Sequence, residues 1–167
     1  MGLYLAYDSA QQPPAAAPAG MKKKLLIAIR PEDVALSRNI VGDEFDFQFC
    51  HTFREACDAV DETVGLVVCG VHFDSGKVFD FLRHVRENPD TAHLPFFILL
   101  GAGSRYSPAI VTGIKAAAKL LKVTGFTDLT RFADKIGKDA AFDALRKGIR
   151  DALAEQEKRP AARPSSR

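Results

Sequence analysis

The chain has 167 residues and a mass of 18.2 kDa, enough for one domain with a substantial core and too short for two ordinary ones. Its 47% hydrophobic, 26% charged and 9% aromatic residues are those of an average soluble globular protein, which argues against wholesale disorder and against collagen-like or coiled-coil architecture. The formal charge is +2, but Lys22, Lys23, Lys24, Lys158, Arg159, Arg163 and Arg167 sit at the ends, leaving residues 25–157 with 16 basic and 20 acidic side chains. A folded body of that sign does not offer the positive patch that nucleic acid requires, so no nucleic acid is expected as a partner.

Residues 1–22 read as a Pro/Ala-rich tail. The stretch 8–20 is too poor in apolar surface to offset the entropy of ordering, while Leu3–Tyr7 could add to a sheet edge or fill a groove, or be no part of the native protein. The order of charge and apolar residues is not that of a secretory signal. Apolar runs such as Leu25–Ile29 and Phe96–Leu100 fall far short of the roughly 20 residues that span a membrane. Cys50, Cys57 and Cys69 cannot all pair and each has apolar neighbours, so buried thiols, a reducing compartment and a cytoplasmic location are expected, with no membrane partner.

Lys24–Ile29 is the first predicted strand. Pro31 suits a first helical turn, with Glu32 and Asp33 at its positive end, and that helix stops at Gly42. A second strand, Phe45–Cys50, leads to the capping box Thr52-Phe53-Arg54-Glu55 and a helix with Phe53, Ala56, Cys57 and Val60 on one face. Val64–Val71 is an unbroken apolar strand of the kind buried on both faces, followed by a loop with Asp74 and a helix striped by Val78, Leu82 and Val85. Phe96–Leu100 is the fourth strand. Ser107-Pro108 opens a helix whose inward stripe is expected at Ile110, Ile114, Ala117 and Leu121, and Val123–Thr127 is the fifth strand. Phe132 and Ile136 suggest one helical turn before a last helix, Asp139–Leu153, that turns Phe142, Leu145, Ile149 and Leu153 inward. Five βα units with right-handed crossovers give a parallel sheet in a three-layer α/β/α sandwich over residues 23–156, with any ligand site at the carboxyl ends of the strands and a basic tail at 157–167.

The segment from Leu82 to Pro95, with Asn88-Pro89-Asp90-Thr91-Ala92-His93-Leu94-Pro95 before a buried strand, resembles the connection before the fourth strand of response-regulator receiver domains, the CheY-like superfamily. With Gly65–Val71 the similarity covers about Lys23 to Leu153. The resemblance implies a flavodoxin-like fold with strand order 2-1-3-4-5 and a role in bacterial two-component signalling. Receiver chemistry uses an aspartate as nucleophile, an acidic pair for Mg²⁺, and a hydroxyl and an ammonium group for the phosphoryl oxygens. Laid on that pattern, Gly70 falls at the phosphoacceptor, Ile29 and Arg30 at the acidic pair, Leu100 or Gly101 at the hydroxyl, and about Asp128 at the lysine. Gly70 has no side chain to phosphorylate. The resemblance is therefore to a degenerate pseudo-receiver with no catalytic residue, no cofactor and no resident metal. It is expected to act by docking on a protein partner or as a homodimer, through the face built from the fourth helix, the fifth strand and the helix that follows.

Arg30 could reach into the vacated crevice or be a solvated arginine beside Pro31. Asp74, Glu32 and Asp33 could gather a cation, or serve as helix caps and first-turn acids. Arg30, Gly101, Gly103 and Ser104, with Arg105 adjacent, could contact an anion, which makes a small-ligand sensor the alternative function; the bland reading is a flexible loop. Cys50 beside His51 and Cys69 near His72 diverge in extended chain, so thiol or metal chemistry there is disfavoured. His93 is expected to fix the loop before the fourth strand, and His84 to be an exposed helix residue.

Overall fold

The computed structural model describes residues 23–101 and 106–159. Its elements in order are β1 (Lys24–Ala28), a 3₁₀ turn (Pro31–Asp33), α1 (Val34–Val41), β2 (Phe47–Cys50), α2 (Phe53–Ala59), β3 (Val64–Gly70), a second 3₁₀ turn (Phe73–Ser75), α3 (Val78–Glu87), β4 (Phe96–Leu100), α4 (Pro108–Leu120), β5 (Gly125–Asp128), α5 (Leu129–Ile136) and α6 (Lys138–Glu157). The strands form one five-stranded parallel sheet in the order 2-1-3-4-5, as the flavodoxin-like reading requires. β1 and β3, at its centre, are the most buried strands because they are covered on both faces.

Two cores follow from strand alternation. Leu26, Val67, Cys69, Phe96 and Ile98 point to one face, where Phe73, Phe81, Leu82 and Val85 cover them. Leu25, Ile27, Ile29 and Leu66 point to the other, against Val41 and Ile149. The capping box of α2 is formed in both halves, Thr52 accepting from the Glu55 amide and Glu55 from the Thr52 amide. Arg146 on α6 donates to the Ile40 carbonyl at 2.9 Å, satisfying the open end of α1, and pairs with Asp143.

The loop motif before β4 is held from both sides. Thr91, 1% exposed, donates its hydroxyl to the Val85 carbonyl at 2.9 Å. Arg86 donates to the carbonyls of Ala92, Leu94 and Lys122, joining that loop to the turn before β5. His93 contributes through its backbone carbonyl, which accepts from Gln156 at 2.9 Å. His84 is half-buried with Phe53 edge-on to its ring, so the exposed position expected for it is corrected.

Two further expectations change. On α4, Ile114 and Leu121 pack on the core as expected, but the fully buried positions are Val111 and Ala118, and Ile110 is 49% exposed. Both Ile110 and Val111 are apolar, so the sequence pattern does not choose between them at the first turn. The single turn at Phe132 is instead the eight-residue helix α5, anchored by buried Leu129, with Ile136 turned to solvent. Among the described residues no helix is long and apolar enough to cross a membrane.

Candidate functional site

The carboxyl ends of β1, β3 and β4 lie at one edge of the sheet, where parallel strands leave their last carbonyls and loops facing the same way. Gly70 ends β3. A Cβ built there would lie 3.4 Å from Ile29 Cγ2 and 3.8 Å from the Ala28 carbonyl, so the floor beside it is apolar. Ile29 itself is 2% exposed and belongs to the core. Its amide donates to the Cys50 carbonyl at 3.0 Å, and its carbonyl meets His51 Nδ1 at 2.8 Å.

Arg30 stands next, half-buried at the mouth of the crevice. Its guanidinium donates to both oxygens of Asp33, at 2.8 and 3.0 Å, and lies 3.5 Å from Glu32. The hydrogen bond to Asp33 raises the Arg30 pKa; burial opposes it, and the charges of Asp33 and Glu32 add to the rise. The cation is thus neutralised locally by the acids of the following turn, a different arrangement from either a side chain filling the crevice or a solvated one.

Asp74 does not join those two carboxylates. Its Oδ2 accepts from the Phe53 amide at 2.7 Å and so caps α2, not the helix that follows it in sequence. That reach requires a left-handed backbone at Asp74 (φ 39°), continued at Ser75 and Gly76. Among the described residues, no group of three His, Cys, Asp or Glu side chains is arranged to hold a metal ion.

Leu100 is 2% exposed and packed in the core against the helices. Among the described residues, nothing lies within 4 Å of a Cβ built on Gly101. Gly103 and Ser104, with Arg105, lie outside the described residues. Asp128 sits at the end of β5 and accepts from the Arg131 amide at 3.3 Å, capping α5. Tyr106, which no local motif singles out, stacks on His72 with ring centroids 5.1 Å apart, its hydroxyl 3.2 Å from Nδ1.

The cysteines are free thiols. Burial pushes Cys50 up to about 11 and Cys69 well above the ordinary range, and raises Cys57 with help from Asp58. None is primed as a thiolate.

A second feature lies on the face of α4, β5 and α5. A groove of about 620 Å³ is lined by Lys115, Asp128, Arg131 and Lys135, and Lys115 sits over the Phe126 ring at 5.6 Å. Ile110, Leu120 and Ile136 are exposed on the helices that bound it.

No known family profile matches the chain, and no curated protein does. Solved structures do. The chain is similar to the signal receiver domain of a histidine kinase from Syntrophus aciditrophicus, at 15% identity and a TM-score of 0.61, over 86% of this chain and 99% of that one. It is similar to the phosphorylated cyanobacterial phytochrome response regulator at 13% identity and a TM-score of 0.59, over 87% of this chain and 100% of that one. A response regulator from Hahella chejuensis matches at 17% identity and a TM-score of 0.58, over 83% of this chain and 99% of that one. At these identities the likeness is one of fold, and the fold of this chain is that of a receiver domain.

Proposed function

We propose that this chain is a pseudo-receiver, a non-catalytic signal-transduction module that acts by docking on a protein partner rather than by aspartyl phosphorylation. The observation that carries the reading is Gly70 at the end of β3, where a nucleophilic carboxylate would have to stand. Around it Ile29 is apolar, and Arg30 is bound to Asp33 where a metal-binding acid pair would be needed. Asp74, the carboxylate four residues beyond Gly70, is used in capping α2.

The partner surface in this reading is the α4-β5-α5 face. Three cations line its groove against one carboxylate, and Ile110, Leu120 and Ile136 are exposed on the helices that bound it, so an acidic segment with apolar residues is the complementary partner.

The test is exposure to acetyl phosphate or beryllofluoride with Mg²⁺, followed by amide NMR. Unchanged spectra are expected. An Mg²⁺-dependent response that disappears in Asp74→Ala would refute the reading. A partner recovered by affinity capture should be lost on charge reversal of Arg131 and Lys135 and retained in Asp74→Ala. The rival reading, an anion sensor at Arg30, Gly101, Gly103 and Ser104, is disfavoured by the pairing of Arg30 with two carboxylates.

A further inference from the structure

The sheet face carrying α1 and α6 is unevenly covered, and the residues explain why. On β4, Phe96, Ile98 and Leu100 are buried against the opposite helices, while the alternate Phe97 and Leu99 are only half-buried. The edge strand β5 is half-buried along its whole length. Helix α6 rests on β1 and β3, with Ile149 against Leu25, Ile27 and Leu66 and with Leu153 beside Gly65. Where it overlooks β4 and β5 it carries Ala144 and Gly148, opposite Gly125 and Thr127 on β5. The small side chains of Ala144, Gly148 and Thr127 leave a half-enclosed hollow of about 250 Å³, with Phe132 and the Phe97 ring, which lies on Gly125, among its walls. A Cβ built on Gly148 would meet nothing within 4 Å, independent geometric support for that space.

The lining restricts what could fill it. No ionisable side chain lines the hollow, so a charged ligand would be desolvated without a partner. The polar side chains present are the hydroxyls of Ser37 and Thr127. A peptide strand would need partners for its amides and carbonyls, which walls of this kind do not supply. An apolar cavity of about 150 Å³ suffices for benzene, and the larger space here suits two fused rings. We propose that the hollow between α6 and the β4–β5 strip is a binding site for a compact, uncharged bicyclic aromatic molecule bearing one hydrogen-bonding group. Phe126, Thr127 and Phe132 line both this hollow and the basic groove, so the occupant would lie directly beneath the docking face. The site itself stands independently of the docking reading.

The experiment is a titration of the full chain with indole and with 2-naphthol, read by amide NMR. Saturable shifts centred on Gly125, Thr127 and Gly148 are expected, weakened at least about tenfold in Gly148→Leu and in Ala144→Leu, each checked for a cooperative melt. The matched control Gly113→Leu, on α4 with equal room for a side chain, is expected to bind as the parent does. The proposal is overturned if neither probe gives saturable shifts, if the shifts map elsewhere, or if both filled variants bind unchanged. It is equally overturned if deleting residues 1–22 moves the same amides without a probe, because the chain's own tail would then be the occupant.

Discussion

Asp33 holds the Arg30 guanidinium through both carboxylate oxygens, at 2.8 and 3.0 Å, within a single turn of the chain. The pair replaces what would otherwise be an unbalanced cation at the mouth of the strand-end crevice, and Glu32 at 3.5 Å shares the charge. Both partners are partly exposed, at 33% and 24%, so the pair is mainly a positioning device.

Removing that constraint is expected to change anion binding more than stability. Asp33→Ala should cost less than about 1 kcal/mol in urea unfolding, and should create phosphate-dependent amide shifts at Arg30 and Gly101 that the parent lacks. Equal phosphate response in the two proteins would show that Asp33 does not control Arg30.

Asp74 should matter through its acceptor oxygen, not its charge. Asp74→Ala removes the bond to the Phe53 amide and leaves alanine in a left-handed conformation, so a loss of about 1–2 kcal/mol is expected. Asp74→Asn retains an acceptor and tolerates that backbone, and should lose less than half as much. Equal losses in chemical denaturation would remove capping as the explanation.

Glycine positions on the two sides of the hollow should respond with opposite sign. At Gly125 an added Cβ would lie 2.8 Å from the Phe97 ring, so Gly125→Ala is expected to destabilise by about 1–3 kcal/mol. Gly148 lies within α6 with open space around it, and Gly148→Ala should stabilise by about 0.5–1 kcal/mol through helix propensity. Thermal melts of the two variants check both signs at once.

The buried thiols predict an alkaline weakness. Folding raises the Cys50 pKa to about 11 by burial, so the native state keeps its proton while the unfolded chain ionises near pH 8.5 to 9. Stability from this group is complete below that lower limit and falls as pH rises through the window to about 11. Cys50→Ala should show a shallower decline of unfolding free energy between pH 8.5 and 10.5 than the parent. Parallel declines would remove Cys50 as a contributor.

How much of this was legible beforehand varies with the kind of contact. The order of elements, the capping box at Thr52, the strand Phe96–Leu100 and the loop from Asn88 to Pro95 were readable because each depends on neighbours in sequence. Periodicity, caps and turn residues act over a few positions, and so does the absence of a side chain at Gly70. On α4 the inward place of Ile114 and Leu121 was readable, whereas the choice of Val111 over the equally apolar Ile110 was made by packing. Nor could sequence place Asp74 on the Phe53 amide, 21 residues away, or bring Tyr106 onto His72. The sequence by itself determined which chemical groups are present and the βα rhythm that carries them. Tertiary structure decided which carboxylate meets Arg30, which helix Asp74 caps and where small side chains leave space, because those outcomes depend on distances between segments that no local preference encodes.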